Sequence, residues 1–102
     1  MGKYRSRLQI IADVLSVVND GARKTQIMYK ANLSYQLLNR YLDETLKLGL
    51  INQKSSGVYE VTERGCVFLR LYNDFERKRR ELEGQVDSLQ NEKKALLKIV
   101  MP

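Results

Sequence analysis

Thr25-Gln26-Ile27-Met28-Tyr29-Lys30-Ala31-Asn32-Leu33-Ser34-Tyr35-Gln36-Leu37-Leu38-Asn39-Arg40-Tyr41-Leu42-Asp43-Glu44-Thr45-Leu46-Lys47-Leu48-Gly49 reads as two helices and the turn between them. Thr25 is suited to cap a short helix that runs through Lys30, and Asn32-Leu33-Ser34 breaks it. Ser34 carries the short hydroxyl that accepts from the free N–H groups of a helix start. A longer helix therefore begins there and runs to Leu48, with Gly49 as the permissive residue past its end. Leu38, Leu42 and Thr45 fall on one face of it, with Tyr41 and Leu46 beside them. Tyr35, Gln36, Asn39, Arg40 and Asp43 fall on the opposite one.

Before this stretch, Leu8, Ile11, Leu15 and Val18 repeat at helical spacing, widened by Ile10 and Val14, so residues 6–19 read as a helix ended by Asp20-Gly21. After it, Leu50-Ile51-Asn52-Gln53 and Val58-Tyr59-Glu60-Val61 are short β-compatible runs around Lys54-Ser55-Ser56-Gly57, a hairpin signal. Thr62-Glu63-Arg64 opens a last helix, with Thr62 as cap and Glu63 in the first turn, where the helix dipole favours an acid. From residue 66 to 101 only Gly84 interrupts, and there is no proline, so one long helix is expected. The expected division is a domain over residues 1–65 and a helix over residues 66–102, with no internal repeat.

A chain of 102 residues with 43% apolar and 29% charged side chains holds one modest core, and its composition is that of a globular protein. Histidine is absent and Cys66 is the sole cysteine, which removes the usual imidazole base, Cys/His metal sites and an intrachain disulfide. No catalytic residue, metal or cofactor is expected. Neither a signal-like apolar stretch after Met1-Gly2-Lys3-Tyr4-Arg5 nor a membrane-spanning apolar run is present, so a cytoplasmic, reducing location without a membrane partner is expected. The net charge of +6 favours an anionic partner, and the residues before Thr62 carry nine basic and five acidic side chains against nine and seven from Thr62 on. Basicity alone leaves DNA, RNA and lipid open.

Helix, short helix, three-residue turn, longer helix, then hairpin is the order of a winged helix-turn-helix. The expected fold class is mainly α with a small β-hairpin, continued by a long C-terminal helix that forms an antiparallel coiled-coil dimer. In such a fold the third helix enters the major groove and the hairpin lies against the backbone. Gln36, Asn39 and Arg40 suit base edges, since amides pair with adenine and guanidinium with guanine. Ser34 and Tyr35 at the helix start are placed for phosphates. Lys54 sits at the hairpin tip, and Arg5, Arg7, Arg23 and Lys24 flank the first two helices within reach of the DNA backbone. The plainer reading also stands: a polar helix face that only meets water, a simple tight turn, and solvated cations.

Thr25 through Tyr35, followed by Tyr41-Leu42, Gly49-Leu50-Ile51, Tyr59 and Thr62-Glu63-Arg64-Gly65, resembles the archaeal ten-a family of small winged-helix chromatin proteins. The similarity spans roughly residues 5 to 70 and is specific in Thr25 to Tyr35. The resemblance implies a homodimeric DNA-binding protein without enzymatic activity, joined through a C-terminal coiled coil.

The tail has its own pattern. With Tyr72 at heptad position a, the d positions are Phe68, Phe75, Leu82, Leu89 and Leu96, and the a positions are Tyr72, Arg79, Val86, Lys93 and Val100. In a parallel pair Arg79 and Lys93 would each face its own copy. An antiparallel pair sets them against leucines, past which they snorkel outward, and is favoured. Intramolecular packing or a higher oligomer also fits the stripe. Gly84 falls at the outward position f. Arg77-Lys78-Arg79-Arg80, interleaved with Glu76, Glu81 and Glu83, reads as a solvated face with i,i+4 ion pairs, and Cys66 as a packed small hydrophobe.

These readings converge on a nucleoid-associated, dimeric protein that binds double-stranded DNA in an architectural role and takes no small-molecule substrate. The alternatives are a sequence-specific transcription regulator on the same fold and, from another class, a protein-interaction adaptor.

Overall fold

The computed structural model describes residues 4–102. Ser6 starts α1, Arg7–Val18, by accepting from the Gln9 amide at 3.2 Å. Ile10, Ile11, Val14, Leu15 and Val18 are buried along it. Leu8, expected in this stripe, is 47% exposed because it lies at the stripe's edge on the first, least covered turn.

The second helix, α2, spans Lys24–Lys30. Its N-cap is Arg23 and not Thr25, which lies inside the helix. Arginine offers no acceptor, so only half of a capping box forms: the Gln26 side chain accepts from the Arg23 amide at 2.9 Å. The chain then reverses through Asn32, whose φ of 52° lies in the left-handed region that asparagine tolerates. The Ala31, Asn32 and Leu33 amides close this turn onto the last carbonyls of α2.

Ser34 caps α3, Tyr35–Lys47, accepting from the Leu37 amide at 3.2 Å. Leu38, Tyr41, Leu42 and Thr45 form its buried face, and the Thr45 hydroxyl satisfies itself by donating to the Tyr41 carbonyl at 2.6 Å. Leu46, expected beside that face, is 36% exposed, since it stands about a quarter-turn from its centre. Past Leu48, Gly49 takes φ +72° and ends the helix.

Strands β1, Ile51–Gln53, and β2, Tyr59–Val61, pair antiparallel with Ile51 opposite Val61 and Gln53 opposite Tyr59. The Lys54–Gly57 turn is closed by the Gly57 amide on the Lys54 carbonyl at 2.9 Å. Ala22 adds a one-residue third rung, exchanging two backbone hydrogen bonds with Tyr59. Ile27, Ala31, Leu33, Leu50, Ile51 and Tyr59 join the buried residues of α1 and α3 in one core.

Helix α4 spans Glu63–Val100. The Thr62 hydroxyl accepts from the Gly65 amide at 3.0 Å and donates to the Gly49 carbonyl at 2.6 Å, so one residue both caps α4 and ties it to the end of α3. Gly65 lies against the Leu50 carbonyl, and Phe68 and Leu69 pack on the core. Cys66 is exposed, contrary to expectation, because the inward stripe of this first part of α4 is taken by Gly65, Phe68 and Leu69.

The residues up to Tyr72 form one compact unit and Asn73–Pro102 a second, wholly helical except for its last residues. In the second unit each cation of Arg77-Lys78-Arg79-Arg80 meets a carboxylate within four positions along the helix. Lys78 reaches Asp74 at 3.0 Å, Arg80 reaches Glu76 at 3.5 Å, Arg77 pairs with Asp74, and Arg79 pairs with both Glu76 and Glu83. Hydrogen bonds from Lys78 and then Arg77 hold the Asp74 carboxyl below its ordinary value, and Arg79 and then Arg80 do the same for Glu76.

Candidate nucleic-acid interface

Because α3 buries its Leu38–Thr45 face, Gln36, Arg40 and Asp43 are turned outward, and all three are exposed. Asn39 is half-buried at the flank of this face. Ser34 is exposed with its hydroxyl engaged in capping. Tyr35 is exposed, and the Lys24 ammonium sits 5.6 Å from its ring centre, a cation–π contact that brings the start of α2 to the start of α3. The Arg40 guanidinium lies 5.6 Å from the ring centre of Tyr41, which limits its swing. Asp43 pairs with Lys47 at 3.0 Å, so the far end of the face is locally neutral.

The flanking cations differ in what holds them. Arg5 donates to the carbonyls of Ala31 at 2.7 Å and Asn32 at 2.6 Å and pairs with Asp13 at 2.9 Å. It is a strut between the N-terminal segment and the turn that separates α2 from α3. Arg7 pairs with Glu44 of α3. Together with Arg40 these arginines line a cleft between the N-terminal segment and α3 that also includes Tyr4, Ile10, Leu37 and Tyr41. Sequence reasoning missed Tyr4, Leu37 and the pairing of Arg7 with Glu44. Arg7 and Glu44 are 37 positions apart, beyond any local periodicity.

A second group gathers at the hairpin. Lys54 pairs across it with Glu60 at 3.2 Å, and Arg23 donates to the Ser56 carbonyl at 2.8 Å, which fastens the hairpin turn to the start of α2. The structure thus brings Ser34, Tyr35, Gln36, Asn39, Arg40, Lys24, Arg5 and Arg7 to α3 and its borders, and places Arg23 and Lys54 at the wing. Among the described residues no group of three or more Cys, Asp or Glu side chains is placed to hold a metal ion, and no helix is long and apolar enough to cross a membrane.

Of the apolar positions in the tail, Phe68 is packed on the core of the first unit and stacked on Tyr72, with ring centres 6.1 Å apart. Phe75, Leu82, Val86, Leu89, Leu96 and Val100 are exposed in the single chain.

A short helix, a left-handed turn, a longer helix presenting amides and arginine, and a hairpin tied to both define a winged helix-turn-helix protein. The chain belongs to the winged helix-turn-helix family, whose model matches residues 4–80. It is 35% identical over 74 residues to the uncharacterized protein MJ0287 of Methanocaldococcus jannaschii, a match covering 71% of this chain and 75% of that protein. MJ0290 of the same organism is 36% identical over 66 residues, which is 64% of this chain and 31% of that longer protein. The fold is similar to the crystal structure of Sso10a-2, a DNA-binding protein from Sulfolobus solfataricus, with a TM-score of 0.77 and 24% identity over 85% of this chain and 95% of that one. These matches agree with the archaeal resemblance carried by Thr25 to Tyr35.

Proposed function

We propose that this protein binds double-stranded DNA, with α3 in the major groove and the hairpin at the backbone. The carrying observation is the outward face of α3, where Gln36 and Arg40 are exposed with Asn39 half-buried at the flank, and cations gather at its border and at the hairpin. Ser34, Tyr35, Lys24 and Arg7 meet phosphates beside the helix, and Lys54 and Arg23 meet them at the wing. Arg5 acts by holding the turn that orients α3. The family, and the DNA binding stated for Sso10a-2, support this reading.

Three base-reading side chains among many cations favour an architectural, nucleoid-associated role over sequence-specific regulation. The exposed stripe Phe75, Leu82, Val86, Leu89, Leu96 and Val100 is read as a dimer seam between two copies of α4. Because Arg79 is already neutralised by Glu76 and Glu83 on its own helix, the preference for antiparallel pairing rests mainly on Lys93.

The test is duplex binding across a salt series with Arg40→Ala and Gln36→Ala. Each phosphate neutralised contributes about 0.9 to the log–log salt slope, so the full chain is expected to show a slope of several units. Both variants should weaken binding while keeping the parent's circular dichroism. An affinity flat in salt, or folded variants that bind as the parent does, overturns the reading. A small ratio between selected and random duplexes is expected of the architectural role, and a large one assigns the regulator. No binding at low salt leaves the adaptor.

A further inference from the structure

The cleft between the N-terminal segment and α3 has a volume of about 470 Å³ and three arginines in its lining. Leu37, Arg40, Tyr41 and Glu44 run along one flank of α3 at helical spacing, and this flank borders the outward face through Arg40. The three guanidinium groups are held in different ways. Arg5 has two backbone carbonyls and Asp13 for partners, its side chain is only 23% exposed, and it forms a fixed wall. Arg40 has no carboxylate partner among the described residues and is steadied by the Tyr41 ring. Arg7, 56% exposed, directs both Nε and Nη2 at a single oxygen of Glu44, whose side chain is 22% exposed.

A carboxylate and a phosphate present the same kind of oxyanion edge to a guanidinium, and arginine pairs with either through parallel N–H donors. We infer that Arg7, at the wall of this cleft, is a phosphate-binding residue, held in the free protein by the Glu44 carboxylate as a stand-in and in the complex by a backbone phosphate of the duplex. A free nucleotide offers the same chemistry. The duplex is favoured because the cleft opens beside the face of α3 assigned to the groove, so the inference rests on that reading. The exchange leaves no bare charge in either state. Arg7 trades one oxyanion for another, and Glu44, whose side chain is already partly exposed, turns to water.

The experiment is a double-mutant cycle on the full chain with Glu44→Gln, Arg7→Gln and the pair, measured by duplex affinity and salt slope. Glu44→Gln removes the competitor and should tighten binding by about two- to fivefold, the range of a partly exposed ion pair. In the Arg7→Gln background the same change should give only the smaller effect of one carboxylate fewer, set by Asp43→Asn on the same helix. Arg7→Gln alone should reduce the salt slope by about 0.9. Equal effects of Glu44→Gln in both backgrounds, or an unchanged slope in Arg7→Gln, overturn the site while leaving DNA binding by α3 intact. Failure of every protein to bind duplex at low salt overturns both. Arginine side-chain NMR separates the sources: duplex should shift Arg7 where inorganic phosphate and a 5′-deoxynucleotide do not. A saturable nucleotide shift that duplex fails to displace overturns the duplex as the source.

Discussion

A single missing methyl group governs how α4 meets the rest of the first unit. A Cβ at Gly65 would stand 2.2 Å from the Leu50 carbonyl oxygen and 2.6 Å from Val61 Cγ2, and the first of these is backbone that cannot step aside. Gly65→Ala is therefore expected to cost about 1–3 kcal/mol, read as a lower midpoint in denaturant with an unchanged slope. At this scale the sequence is legible where chemistry is local. Ser34 and Thr62 are recognisable as caps because a hydroxyl reaches amides three residues on, within its own turn. It is not legible where the partner is distant. Arg5 reads as one more cation, yet its donors end 26 and 27 positions away on Ala31 and Asn32. The true cap of α2 was hidden for a related reason: Gln26 satisfies the Arg23 amide from inside the helix, so the residue at the cap position carries no capping side chain.

At the scale of elements, the buried faces of α1 and α3 follow from periodicity, and the exceptions, Leu8 and Leu46, stand at stripe edges where one position decides exposure. The hairpin is visible as two β-compatible runs, whereas the rung from Ala22 is a single residue with no period to reveal it. The polar face of α3 was legible as a face. The cleft on its flank was not, since it exists only once the N-terminal segment is laid against the helix. In the second unit the ion pairs were legible because they lie within one helix turn of each other. Gly84 is the one weak point there, and a Cβ would meet nothing within 4 Å. Gly84→Ala should therefore stabilise the helix by about 1 kcal/mol through propensity alone. The measurement is thermal loss of helix signal in a peptide of residues 73–102 at fixed concentration. A fall in stability would show that position 84 does not face outward as the heptad assigns it.

For the whole molecule, pairing of the tail decides what two DNA-binding units do together. The proposed antiparallel seam has a definite register. Setting Lys93 against Leu82 and Arg79 against Leu96 also sets Val86 against Leu89 and Phe75 against Val100, and centres the pair between Asp87 and Ser88. In this register the paired stretch runs from Phe75 to Val100, roughly 37 Å at about 1.5 Å per residue, and the two copies of Asn73, where the second unit begins, are carried roughly 44 Å apart along it. Half-sites one turn apart are separated by roughly 34–36 Å, so a dimer of this kind is better matched to two separate duplexes, or two distant stretches of one, than to adjacent half-sites. Cys66 is the sole cysteine, so a Cys66→Ser chain takes a single label at Asn73→Cys, inside the second unit. Spin labels on the two copies should lie roughly 45 Å apart in this register, whereas a parallel pair, with helix axes about 10 Å apart, would bring them to within roughly 20 Å. Removing residues 73–102 leaves every residue of the first core in place and takes away the exposed stripe. The shortened chain is expected to fold, sediment as a monomer and bind DNA more weakly, because the second attachment is no longer tethered to the first. It should also lose the capacity to hold two duplexes together in single-molecule imaging. A short label distance overturns the antiparallel register, and a shortened chain that remains dimeric and still bridges overturns the role given to the tail.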